Sequence, residues 1–217
     1  MKIMVSATFL AAIVTAAPAL AGPGVIIGPV AATINSGGPG FGSIADTYNE
    51  NGLFTKYTSG VTNFDAYIAG NPIHTDIFAG NEWFSNSGTT SASVTYDLGS
   101  IKKINALALW NEESSGIGQL ALGGDGGAIG VYTPFDNPLA NYSAQVFTFT
   151  TVTTRFVTFG LSGCPQPNPG NFPACAIGEV AFRTAAAVPE PSSWALLVVG
   201  FGLVGTTLRR RAVRVAA

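Results

Sequence analysis

Val94-Thr95-Tyr96-Asp97-Leu98-Gly99, then Ile101, then Ile104-Asn105-Ala106-Leu107-Ala108-Leu109-Trp110-Asn111-Glu112, is the stretch that decides the fold class. Both runs are rich in β-branched, aromatic and aliphatic residues, the composition of strands that pack against a core. Ser91–Leu98 and Ile104–Trp110 are the strands this predicts, with Leu98, Leu107 and Leu109 facing inward. Gly99 between them lets the chain take a positive φ, which residues with a Cβ avoid.

The same pattern of short β-type runs, broken by Gly, Asn and Pro, extends in both directions. Further predicted strands are Ala66–Ile68, Ala128–Tyr132, Ala144–Phe149, Arg155–Leu161 and Ile177–Arg183, with Val25-Ile26-Ile27 as an edge strand. In Ala144–Phe149 the alternation is cleanest, Val146 and Thr148 on one side and Phe147 and Phe149 on the other. No long stretch repeats apolar residues every 3.6 positions between caps. The expectation is an all-β sandwich of about eight strands.

The outer segments have other purposes. Lys2, an apolar run from Ile3 to Leu20, and the small residues of Ala19-Leu20-Ala21 follow the order of a secretory signal peptide, residues 1–21, cut before Gly22. A Gly/Pro-rich segment fills 22–59, the sandwich 60–183 and a small-residue linker 184–187. Between Gly22 and Ala187 eleven acidic residues stand against five basic ones, a formal charge of −6. Without a basic cluster beyond Lys102-Lys103, nucleic acid is excluded as a partner.

The ten residues between Cys164 and Cys175 include four prolines. In an exported protein such a local pair reads as a disulfide clamping a surface loop, worth about 2–3 kcal/mol.

Val188-Pro189-Glu190-Pro191 is held extended by its prolines. An uncharged run from Ser192 to Leu208 and then Arg209-Arg210-Arg211 complete the tail, followed by a cytoplasmic end, 212–217. The run spans about 25 Å as a helix, near the length of a single transmembrane crossing held inside by its arginines. This order resembles the PEP-CTERM sorting signal (188–211), and the same tail is also similar to the segment known as an ice-binding-protein C-terminal domain. The resemblance implies an exosortase-type processing enzyme as partner and an inner-membrane-anchored precursor. The processed protein then reaches the envelope, outer surface or extracellular matrix of a Gram-negative bacterium.

The central segments carry a second resemblance. Asn81-Glu82-Trp83-Phe84-Ser85, the Asp97-Leu98-Gly99 strand end, the Trp110 strand, Thr154-Arg155-Phe156-Val157 and Ile177-Gly178-Glu179-Val180 occur in the order of the discoidin, or coagulation factor 5/8 C-terminal, domain. Phe156 departs from that pattern, which usually has Tyr there. The resemblance covers about Gly60 to Phe182 and implies a galactose-binding-like jelly roll. It also implies a structural calcium, for which Asp65, Asp76 and Glu179 are the matching residues.

For a carbohydrate, an aromatic face beside planar polar groups is needed on a loop. Trp83, flanked by Asn81, Glu82 and Asn86, is the leading candidate, with Asn111 and His74 as polar partners, whereas Trp110 reads as core. Gly123-Gly124-Asp125-Gly126-Gly127 reads as a hairpin, and the threonines from Thr148 to Thr158 as strand residues with drifting spacing. His74 is the single histidine, no Gly-x-Ser-x-Gly elbow is present, and adjacent Glu112-Glu113 is expected to point two ways. The expectation is a non-catalytic module for carbohydrate or exopolysaccharide. The alternatives are a structural adhesin or biofilm-matrix protein without a glycan ligand and, third, a hydrolase.

Overall fold

Gly99 takes φ 77°, and the Asp97 carboxylate accepts its N–H at 2.8 Å. The chain therefore turns a corner without leaving the sheet, and the two runs around it form one long strand, Ser91–Asn111. Its pairing register shifts between Asp97 and Lys102, so its two halves serve different layers.

The computed structural model describes residues 23–167, 172–185, 198 and 200–202. The strands in chain order are β1 (Ile26–Ile27), β2 (Ala31–Ser36), β3 (Ile73–His74), β4 (Trp83–Phe84) and β5 (Ser91–Asn111), then β6 (Gln119–Gly124), β7 (Gly127–Tyr132), β8 (Tyr142–Ser143), β9 (Gln145–Ser162) and β10 (Ala176–Thr184). A 3-10 turn, Ile44–Thr47, and one short helix, α1 (Phe64–Ala69), interrupt them. The main sheet runs β1-β10-β5-β9-β6-β7, with β2 added on β5 and β4 on β10, while β3 and β8 pair separately.

All the pairings between these strands are antiparallel. The first half of β5 lies between β2 and the second half of β9, which continues to β6 and β7. Its second half lies between β10 and the first half of β9. The fold is a jelly-roll β-sandwich whose long strands pass through both layers. At the shared corner the Arg155 guanidinium binds both Asp97 carboxylate oxygens, at 2.9 and 2.8 Å, tying β9 to the bend of β5.

Between the layers lies a core of Trp83, Tyr96, Ile104, Leu107, Leu109, Leu120, Phe159 and Phe182, among others. Ile26, Leu53, Tyr57, Phe64 and Tyr142 cover Ala106, Ala108, Trp110 and Ala181 in a second core. That cover explains why β10 is buried from Ala176 to Phe182 and the end of β5 from Ala106 to Asn111.

Two expectations are corrected here. The N-terminal segment belongs to the sandwich: Pro23–Ala186 is one compact unit, beginning well before residue 60, because β1 and β2 pair with β10 and β5. Ala66–Ile68 is part of α1 rather than a strand, because the Asn63 side chain accepts the Ala66 N–H at 2.7 Å and caps a helical turn.

The expected edge strand at Val25–Ile27 exists as β1, and the glycine-rich loop is the turn between β6 and β7. Cys164 and Cys175 are disulfide-bonded. The expected signal peptide, the Pro-Glu-Pro element and the arginine cluster lie outside the described residues. Of the predicted membrane segment only Val198 and Gly200–Gly202 are described, as helix, and no described helix is long and apolar enough to cross a membrane.

Candidate functional site

Strand alternation ends at Asn111, and with it the rule that neighbouring side chains point to opposite faces. The chain turns at once, because the Glu112 carboxylate reaches forward to the next residues. Its Oε2 accepts the N–H groups of Ser114 and Ser115, and its Oε1 accepts the Ser114 hydroxyl at 2.7 Å. Glu112 and Glu113 are thereby directed to one place. Glu82, entering β4, meets them there: one carboxylate oxygen from each of the three lies within 4.8 Å of the others. All three side chains are buried. Adjacent Glu112 and Glu113 thus converge, contrary to the expectation drawn from sequence neighbours in a strand.

Glu82 is held from behind. Its Oε1 accepts the Tyr142 hydroxyl at 2.6 Å and lies 3.6 Å from His74 Nδ1, while its Oε2 has no hydrogen-bond partner. His74 Nδ1 also lies 2.8 Å from the Thr75 carbonyl, to which it donates, and burial drives the imidazole pKa down to about 4. The ring is therefore neutral at pH 7 and brings no positive charge. Burial first and the Glu112 charge second push Glu82 up to about 8, and the same two causes push Glu113 up to about 9.

In front of the carboxylates opens a cavity of about 280 Å³ lined by Phe41, Asp76, Phe78, Phe84, Glu112, Glu113, Ser114 and Phe172. Phe41 and Phe84 exchange both backbone hydrogen bonds, each 2.9 Å, which fixes the Phe41 loop against β4. The rings meet edge to face: Phe41 and Phe172 at 5.0 Å, Phe84 and Phe172 at 5.7 Å, and Phe78 and Phe84 at 6.0 Å. Phe84 is buried, whereas Phe41 is 57% and Phe78 51% exposed, so two rings stand open to solvent. Phe172 comes from the loop closed by Cys164–Cys175, and its carbonyl accepts the Ser115 hydroxyl. No lysine or arginine is among the described lining residues.

The residues expected to bind carbohydrate all lie behind this surface. Trp83 is completely buried between the layers, its indole N–H donating to the Pro39 carbonyl at 2.9 Å, and it offers no face to a ligand. Its neighbours Glu82 and Phe84 are the ones that belong to the carboxylate cluster and the pocket. His74 is buried against Tyr142. Asn111 is a buried brace: its amide donates to Gln166 at 2.7 Å and to the Phe135 carbonyl at 3.2 Å, and its Oδ1 accepts the Ile117 N–H at 2.8 Å.

The expected calcium ligands are dispersed. Asp65 is 2.8 Å from Arg183 in an exposed ion pair, and Asp76 lines the aromatic pocket. Glu179 is fully buried: Oε2 accepts the Glu50 N–H at 3.0 Å and Oε1 has no partner. A buried carboxylate with an orphaned oxygen fits a calcium ligand, but neither aspartate is placed to join it, so the three do not form one site. Among the described residues, Glu82, Glu112 and Glu113 are the one group of three acidic, His or Cys side chains whose ligand atoms come together. Phe41, Phe78 and Phe172 carried no sequence signal, because nothing in the linear order shows that three separate loops meet.

Residues 187–211 match the PEP-CTERM protein-sorting motif, which marks the chain for export and targeting to the cell envelope. A search of curated proteins finds no match. Among solved structures, the chain is similar to the family 32 carbohydrate-binding module of NanJ from C. perfringens, solved with galactose (13% identity, TM-score 0.49, covering 74% of this chain and 98% of that one). It is also similar to chitosan-binding module 1 of a chitosanase/glucanase from Paenibacillus sp. IK-5, at 17% identity, TM-score 0.45 and coverage of 70% and 92%. CpGH89CBM32-5 from Clostridium perfringens, solved with GalNAc-β-1,3-galactose, is 14% identical with TM-score 0.45 and coverage of 70% and 93%.

Proposed function

We propose that the β-sandwich is a non-catalytic carbohydrate-binding module whose ligand enters the pocket of Phe41, Phe78 and Phe172. The observation that carries this reading is the pairing of two solvent-exposed rings with carboxylates and the Ser114 hydroxyl around one cavity. The C–H faces of a sugar stack on aromatic rings, while its hydroxyls donate to carboxylates placed at the side. A protein addressed to the envelope meets exopolysaccharide and other glycans there. In this reading the sorting tail is cut by an exosortase-type enzyme near Pro189-Glu190-Pro191, and the membrane holds only the precursor.

A glycan array probed with the full chain, followed by titration of the strongest glycan against Phe78→Ala, tests the reading. Loss of the ring is expected to weaken binding about tenfold, the scale of a stacking contact of 1–2 kcal/mol. No glycan signal at all, or a Phe78→Ala chain that binds unchanged, sinks it and leaves the adhesin.

The convergence of three carboxylates gives the hydrolase reading one observation of its own. Retaining and inverting glycosidases hold their carboxyl pairs about 5–5.5 and 6.5–9.5 Å apart, leaving room for the scissile bond. The present oxygens come closer, and Glu82 does not line the cavity. Release of reducing ends from the bound glycan, abolished in Glu113→Gln, is the result that would favour hydrolysis instead.

A further inference from the structure

We propose that Glu82, Glu112 and Glu113 hold a divalent cation of the calcium class at the floor of the pocket. Three buried carboxylates in mutual reach are costly unless something positive stands among them. None of the ion pairs formed by the described residues brings a lysine or arginine to any of the three; the lone contact is with His74. Tyr142 and the Ser114–Ser115 turn satisfy part of the hydrogen-bonding capacity of Glu82 and Glu112. What remains open is specific: Glu82 Oε2 and Glu113 Oε2 have no partner, in side chains that are 0% and 7% exposed. Glu112 accepts three hydrogen bonds, and a carboxylate has about four acceptor directions, so it too keeps one.

The donor set is oxygen only, which selects hard cations over zinc or copper. An ion with metal–oxygen bonds of about 2.4 Å touches oxygens up to about 4.8 Å apart on opposite sides of itself. The three carboxylate oxygens lie within 4.8 Å of one another, so a calcium-sized ion among them needs each oxygen to close in by no more than a few tenths of an ångström. Magnesium, with bonds of about 2.0–2.1 Å and a strict octahedral shell, reaches less far. Three protein oxygens leave part of the shell of six to eight to water or to groups arriving through the cavity, which Glu112 and Glu113 also line. This group is separate from Glu179, whose orphaned oxygen lies beside Glu50.

The test is calorimetric titration of calcium chloride into the full chain after EDTA treatment, in the absence of any sugar, so that failure of the carbohydrate reading does not affect it. Calcium is expected to bind the unsubstituted chain and Glu179→Gln with the same affinity at this site. Glu82→Gln and Glu113→Gln are each expected to weaken it at least tenfold. Both substitutions keep the shape of the side chain and replace a buried acid with a neutral amide, so in EDTA these variants should melt at or above the temperature of the unsubstituted chain. Addition of calcium should raise the melting temperature of the unsubstituted chain and leave those of the two variants unmoved. Absence of calcium binding, or binding that survives both substitutions and disappears in Glu179→Gln, overturns the proposal.

Discussion

Two glycines show how much of the site depends on single positions. A Cβ on Gly178 would collide with the Tyr142 hydroxyl, and one on Gly52 with His74 Nε2. The residues that hold Glu82 from behind fit only because both positions lack a side chain. Gly178→Ala must push Tyr142 away from the Glu82 carboxylate, and overpacking of this kind costs about 1–3 kcal/mol. Gly126→Ala, where a Cβ meets nothing within 4 Å, is the matched control and is expected to stay within about 0.5 kcal/mol. Urea unfolding of the two variants checks the difference. If both behave alike, Tyr142 is not under the constraint described. At this scale the sequence was partly legible. Asn81–Ser85 attracted attention as the right segment, but the polar flanks of Trp83 gave no sign that its ring faces inward. His74 and Asn111 stand next to the cluster rather than at its surface, because their buried polar atoms serve the loops that shape it.

At the scale of elements, the long strands were legible as fragments. Asp97-Leu98-Gly99 reads locally as a strand end, yet β5 continues through it, since the Asp97 carboxylate binds both the Gly99 N–H and Arg155 across the corner. Only the partner strand makes that visible. The short strands β3, β4 and β8, two residues each, are set by long-range pairing and have no length in which to show a period. The disulfide loop was legible in full from its spacing, but not its role. It carries Phe172 into the pocket wall, where the ring packs on Phe41 and Phe84. Reduction of Cys164–Cys175 is therefore expected to have two effects. Stability falls by about 2–3 kcal/mol, as for a loop of this length, seen as a lower denaturation midpoint. Glycan affinity falls as well, because Phe172 loses its fixed position. Reduction that lowers stability while leaving affinity intact would place the ligand away from Phe172.

For the molecule as a whole, address and cargo are encoded differently, and that difference explains what could be read. A sorting motif must be recognised as a linear, extended segment, so Pro189-Glu190-Pro191 and its neighbours announce themselves in sequence order. The pocket is assembled from positions as far apart as Phe41, Asp76, Glu113 and Phe172, and it exists only after the sandwich has closed. The two ends also mask the character of the part between them. Counted over the full chain the formal charge is −2, whereas residues 22–187 carry −6, because Lys2, Arg209, Arg210, Arg211 and Arg214, set against Glu190 alone, lie in the terminal segments. If those segments serve transport alone, the working protein is an acidic β-sandwich free of them. Intact-mass measurement on protein recovered from its native envelope decides this. The expected mass corresponds to a chain beginning at Gly22, ending near the Pro-Glu-Pro element and lighter by two hydrogens for the disulfide. Recovery of a chain that still carries Arg209-Arg210-Arg211 would instead make the tail a permanent anchor, and the sandwich would then meet its ligand only within reach of the membrane.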